Sequence, residues 1–200
     1  MSRVLLLFAH PALEKSRMHR RMLHYARQVQ GVTINDLYEE YPDFDVDVKR
    51  EQDLLAAHDV VVVQHPIYWY SSPAMVKQWE DLVLEHGWAY GSGGTALHGK
   101  GWVAAVTTGG RVAAYRPEGH NRFTLREFLA PMEQTARLCG MRWVTPYVVY
   151  GTHLLAADEI EQRAAAYGGA LAAIRDGRVD LAAADPWGVG AAALTTEGGP

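Results

Sequence analysis

Three stretches of this chain concentrate groups able to hold an anion or a flat ring. The first is Ala9-His10-Pro11-Ala12-Leu13-Glu14-Lys15-Ser16-Arg17-Met18-His19, which runs from an apolar segment into a helical pattern. A helix N-terminus carries backbone N–H groups without intrahelical partners, and the helix dipole adds positive potential, so phosphate is suited to that place. Ser16 either caps the helix or offers its hydroxyl to a phosphate, and His10, Arg17 and His19 are candidate donors or positive charges. The second stretch, Gln64-His65-Pro66-Ile67-Tyr68-Trp69-Tyr70-Ser71-Ser72-Pro73-Ala74, sets three consecutive aromatics between prolines. Such a loop can offer flat faces to a planar heterocycle, or form an apolar interface patch. The third is Thr107-Thr108-Gly109-Gly110-Arg111, followed by Tyr115 and Gly119-His120-Asn121. Paired glycines let a ligand approach the backbone, and successive N–H groups there can face a developing negative charge; a simple turn is the alternative.

These stretches need a scaffold that brings them together. Val4–Phe8, Val60–Val63 and Trp102–Val106 are continuous apolar runs, as strands buried on both faces require. Trp143–Tyr150 is a fourth run interrupted by Pro146, and Val32–Leu37 alternates weakly. Apolar residues at helical spacing occur over 16–29, 74–85, 124–138 and 158–174, with a weak helix near 50–57. Strands alternating with helices predict right-handed crossovers, and thus an α/β, doubly wound, five-stranded parallel sheet of order 2-1-3-4-5 in three layers. Ligands of such sheets bind beyond the carboxyl ends of the strands, and all three chemistry-bearing stretches follow strands at that edge. The interval 86–100 holds Gly87, Gly91, Gly93, Gly94 and Gly99, and predicts a functional or interface loop. Residues 1–175 form the expected domain; 176–200 form a tail whose last ten or so residues are expected to be mobile.

Several function classes are excluded. The fingerprint G-x-G-x-x-G is absent after the first strand, which favours a mononucleotide over a dinucleotide. Gly94-Thr-Ala-Leu-His-Gly99-Lys100 has phosphate-loop spacing, but Gly101 follows where Ser or Thr must hold Mg²⁺, and a strand follows where a helix is needed. The net charge of −4 with no basic block speaks against nucleic acid. Nine histidines lack ligand spacing, so no metal site is expected. Cys139, the one cysteine, reads as a core thiol and points to a reducing compartment. The first strand begins at Val4 without a signal-peptide pattern, and no apolar run is long enough to span a bilayer, so a cytoplasmic location is expected.

The combination of residues resembles the NAD(P)H dehydrogenase (quinone) family of flavodoxin-fold enzymes. The likeness is nearest to bacterial quinone reductases that serve as ancillary proteins of glutathione-regulated potassium efflux systems. It is carried by His10-Pro11, by Asp36-Leu-Tyr38 with Tyr41-Pro-Asp-Phe44, and by Gln64 to Tyr70. Pro73-Ala74, Lys77-Gln-Trp79, Gly87-Trp-Ala-Tyr-Gly91, Thr107 to Gly110 and Cys139-Gly-Met141 continue it across residues 3–175.

The resemblance implies noncovalent FMN and a homodimer with two active sites at the interface. His10, Ser16, Arg17 and Met18 would hold the phosphate and ribityl chain. Pro66, Ile67, Tyr68, Trp69 and Tyr70 would line the isoalloxazine, and Thr107, Thr108, Gly109 and Gly110 would meet its pyrimidine edge. Tyr115 matches an active-site tyrosine, and Asn121, beside His120, falls where the animal enzymes carry histidine. His19 stands where bacterial relatives usually carry asparagine. The implied reaction is ping-pong hydride transfer from NAD(P)H through FMN to a quinone. Gly109 and Gly110 would stabilise negative charge, Tyr115 and Asn121 would assist by hydrogen bonding, and no side-chain nucleophile is needed. Competing readings are a regulatory subunit docked on a potassium efflux antiporter at the inner membrane face, and an azo- or nitroreductase using the same site. An electron-transfer flavodoxin is a third, disfavoured by a sequence pI of only about 6.1.

Overall fold

The computed structural model describes residues 1–181, so the expectation for the end of the tail lies outside the described residues. The elements run β1 (Val4–Phe8), α1 (Arg17–Ala26), β2 (Val32–Asp36), α2 (Leu37–Glu40), α3 (Val48–Ala57) and β3 (Val60–Pro66). They continue with α4 (Ala74–Val83), β4 (Gly101–Thr107), α5 (Leu125–Leu138), β5 (Arg142–Val149) and α6 (Ala157–Arg175). The strands form one parallel sheet of order β2-β1-β3-β4-β5, the flavodoxin-like arrangement that the strand–helix alternation implies.

Every residue of β1, β3 and β4 is buried because helices cover both faces. Side chains alternate between two cores. Leu5, Leu7, Val61 and Val63 meet Leu55 of α3, Met75 and Trp79 of α4, and Leu129 of α5. Val4, Leu6, Val60 and Val62 meet Met18 and Met22 of α1 and Ile160 and Leu171 of α6. The three-layer expectation therefore holds.

One buried carboxylate joins the pieces on the first of these faces. Glu51, in α3, accepts from Asn35 Nδ2 of β2 at 2.9 and 3.0 Å, Tyr41 Oη at 2.6 Å and Trp79 Nε1 of α4 at 2.8 Å. The Arg50 guanidinium sits 2.6 Å away, so the charge is paired as well as hydrogen-bonded, as burial demands. Trp79 and Trp102, both fully buried, stack at a tilt beside it, and Trp88 and Trp143 pack partly buried on the same core.

Local differences from the sequence expectation have identifiable causes. Helix α3 starts earlier than residue 50 because Asp47 caps it, accepting from Arg50 N–H at 2.9 Å. Strand β5 continues through Pro146 because it lies at the sheet edge, and its pairing with β4 shifts between Val103 and Ala105 to absorb the proline. The 86–100 interval folds down onto the core, burying Ala89 and Leu97. Cys139 is buried, and its thiol is pushed up to about 11, first by burial.

Candidate functional site

The carboxyl ends of β1, β3, β4 and β5 open onto one cleft of about 210 Å³. From the first stretch it is lined by His10, Ser16, Arg17 and Met18; from the second by Pro66, Ile67 and Tyr68; from the third by Thr107 and Gly109. Nine sequence-predicted residues thus meet at one place. The structure adds Lys15, Thr152 and His153. Thr152 and His153 follow β5 at the same sheet edge, in a carboxyl-end loop absent from the sequence-predicted site, although its position after a strand was signal enough.

Ser16 is the cap of α1: its Oγ accepts from His19 N–H at 3.1 Å. No acidic residue occupies the first turn of α1, so the dipole there is uncompensated and Lys15 and Arg17 add to it. His10 accepts from Ala12 N–H on Nδ1 at 3.1 Å, which puts its neutral-form proton on Nε2, within 3.5 Å of Tyr68 Oη. Burial lowers the His10 pKa, with Glu14 acting weakly the other way.

His19 does not supply charge to the cleft, which corrects its reading as a candidate positive charge, although it remains a donor within the protein. It is 1% exposed, and burial, then His10 and His65, hold its pKa well below the usual value. Gln64 Nε2 donates to its Nδ1 at 3.0 Å, so Nε2 carries the proton and donates to Thr107 Oγ1 at 2.9 Å. That bond leaves the Thr107 hydroxyl hydrogen free to turn into the cleft. A polar strut of β3, α1 and β4 residues thereby fixes the orientation of a site hydroxyl.

The remaining predicted residues form a second group beside the cleft. Thr108 is buried and its Oγ1 donates to the Gly110 carbonyl at 2.8 Å. Among the described residues, neither Gly109 nor Gly110 N–H donates to a backbone carbonyl. A Cβ on Gly109 would lie 2.9 Å from His153 Cδ2, and one on Gly110 would lie 3.2 Å from Tyr115 Cε2, so a side chain at either position would push on a neighbouring ring. Tyr115 packs on Phe128 and Tyr150, and its pKa is raised first by burial, with the nearby Thr108 and Asn121 opposing the rise and Tyr70 adding to it. Tyr70 leans on Phe128, with ring centres 5.2 Å apart. Trp69 is 93% exposed and does not line the cleft. Trp69 and Tyr70 both take positive φ, 47° and 66°, an uncommon pair for bulky residues and a local strain of roughly 1–3 kcal/mol each.

A family model described as flavodoxin-like fold matches residues 2–173. Over 166 residues, 83% of this chain and 91% of the relative, the sequence is 47% identical to the "glutathione-regulated potassium-efflux system ancillary protein KefG" of Serratia proteamaculans (strain 568). The structure of general stress protein 14 from Treponema denticola, in complex with FMN, is 38% identical with a TM-score of 0.82, covering 86% of this chain and 99% of that one. An NADPH-quinone reductase from P. pentosaceus is 30% identical with a TM-score of 0.75, covering 83% and 95%.

Proposed function

The chain belongs to the flavodoxin-like fold family, and from that premise we propose that it is an FMN-dependent NAD(P)H:quinone oxidoreductase that works as a homodimer. The observation carrying this reading is the convergence of a capped, basic helix N-terminus with the Pro66–Tyr68 and Thr107–Gly109 segments on one cleft. The FMN complex of the Treponema relative and the quinone reductase name of the P. pentosaceus protein support it.

The donor set suits FMN. Free N–H groups at the start of α1, with Lys15 and Arg17, fit a phosphate, and His10 and Ser16 flank them. Ile67 and Tyr68 offer an apolar wall, and Gly109 offers bare backbone against which a Cβ would collide with His153. Bound FMN would supply the two-electron hydride chemistry that links a reduced nicotinamide to a quinone.

The chain's own residues do the rest. The N–H groups of Gly109 and Gly110 stabilise negative charge at their edge of the site. His19 orients the Thr107 hydroxyl through Nε2. Tyr115 stays protonated through burial and is kept in place by Phe128 and Tyr150, so it acts as a donor. Exposed Trp69 and half-exposed Tyr70 sit beside the cleft, where the second protomer or the quinone can cover them.

The test is the visible spectrum of the protein supplied with FMN. Retained yellow absorbance that bleaches with anaerobic NADPH and returns with benzoquinone supports the reading. A protein that takes up no FMN overturns it.

A second reading is favoured by the name of the Serratia relative, an ancillary protein of a potassium-efflux system: this chain would also dock on a potassium efflux antiporter at the inner membrane face. Among the described residues no helix is long and apolar enough to cross a membrane, so such docking would be peripheral. Co-purification with an antiporter encoded nearby, and its gating by the added protein, would test it.

A further inference from the structure

A second, larger cleft lies outside the proposed flavin site, in the seam between α1 and α6. It measures about 680 Å³ and is lined on the α1 side by Arg17, Arg20, Arg21, His24 and Arg27. From α6 come Ala157, Ile160 and one acid, Glu161. Glu161 is fully engaged: Arg21 donates to it at 2.6 and 2.7 Å, and Tyr25 Oη at 2.5 Å. Among the described residues, Arg17, Arg20 and Arg27 have no carboxylate partner. Four arginines against one glutamate leave the lining at +3, on a chain whose net charge is −4.

This arrangement works against the helix that bears it. Like charges one turn apart destabilise a helix, and cations in its first turn oppose the dipole. Arg17 also lines the flavin cleft, so a phosphate accounts for it, and Arg27 sits at the C-cap of α1, where the dipole favours a cation; Arg20 has no such account. At about 1.5 Å of rise per residue, the uncompensated Arg17, Arg20 and Arg27 spread positive charge along roughly 15 Å, the first two about one turn apart and the third two turns further on. Arginine, planar and bidentate toward carboxylates, suits charge pairing better than lysine would.

We propose that the α1–α6 groove is a docking surface for an acidic helical segment of a protein partner, with carboxylates on successive turns. The groove is concave, whereas a bilayer is flat and would meet only its rims. Its apolar lining is Ala157 and Ile160, and no Phe, Tyr or Trp ring lines it. A second helix laid along the seam, with Asp or Glu on successive turns, presents carboxylates along the length that Arg17, Arg20 and Arg27 span. The proposal does not rest on flavin chemistry.

The probe is a fluorescent 16-residue helical peptide with glutamate at every fourth position, titrated against the full-length protein by anisotropy. A matched peptide with glutamine at those positions is the control. The expected result is binding of the glutamate peptide alone, weakened by added salt, and reduced at least about tenfold by Arg20→Glu with Arg27→Glu. Lys49→Glu with Lys77→Glu, on α3 and α4, should leave it unchanged. The proposal is overturned by no binding, by equal binding of both peptides, or by no effect of the Arg20 and Arg27 changes. Arginine-dependent binding to phosphatidylserine vesicles without binding to the peptide would assign the surface to lipid and also overturn it. FMN uptake by the arginine variant, read separately, reports on the flavin site.

Discussion

Replacing His65 by glutamine should remove part of the fold's sensitivity to acid. Burial lowers the His65 pKa from 6.5 to about 4. Its Nδ1–H is donated to the Pro66 carbonyl at 2.9 Å, and its Nε2 lone pair has no partner among the described residues. Protonation would therefore place an unpaired charge inside the sheet. The unfolded chain takes up that proton below the ordinary pKa, while the folded chain resists it, so in this window the unfolded state binds more protons. The stability contribution is present above the ordinary value and is lost as pH falls toward the folded value. At about 1.4 kcal/mol per unit, allowing for partial titration at both ends, the loss between about pH 7 and pH 5 is about 2 kcal/mol. Glu80 works in the opposite sense: burial raises its carboxyl to about 7, so acid strengthens the fold there and flattens the overall profile. The quantity to read is therefore the difference between wild type and His65→Gln, from urea unfolding at both pH values. Wild type should lose about 2 kcal/mol more than the variant over that interval. Equal losses would refute the neutral burial of His65.

Three further outcomes follow from the same geometry. Glu80→Gln should raise stability at about pH 8 by about 2 kcal/mol, because the unfolded carboxyl ionises freely while the folded one resists, and should have little effect near pH 4; a urea series that shows no pH dependence of the difference contradicts this. Ser16→Ala removes the α1 cap, so it should cost about 1 kcal/mol and lower the melting temperature by about 3 °C, besides weakening FMN binding. Gly109→Ala puts a methyl 2.9 Å from His153 Cδ2 and should weaken FMN binding, while adding His153→Ala should restore much of it; flavin fluorescence titration compares the three proteins.

Where a signal was periodic, the sequence disclosed it. Val4–Phe8 and Val60–Val63 announce strands covered on both faces, and Met18, Met22 and Ala26 mark the inner stripe of α1. The four-residue α2 is too short to show a period, and Asp47 extends α3 through a cap rather than through apolar spacing. At the cleft, residue type alone placed His10, Arg17, Tyr68 and Gly109. It left His19 open between positive charge and donor, because Gln64 and Thr107, which satisfy both ring nitrogens internally, are distant in sequence. Similarly, three adjacent aromatics look equivalent until backbone geometry sends Trp69 outward and Tyr68 toward His10.

The strand order also dictates a sequence of events during synthesis. β1 lies between β2 and β3, so the first 66 residues already contain a central strand with both its neighbours. β4 and β5 then join one side in the order in which the ribosome releases them. A nascent chain can thus lay down its sheet from the inside outward, without holding an early strand unpaired for a late one. The same order makes the first eight residues indispensable: losing Val4–Phe8 would separate β2 from the other strands, whereas losing an edge strand would leave the remainder contiguous.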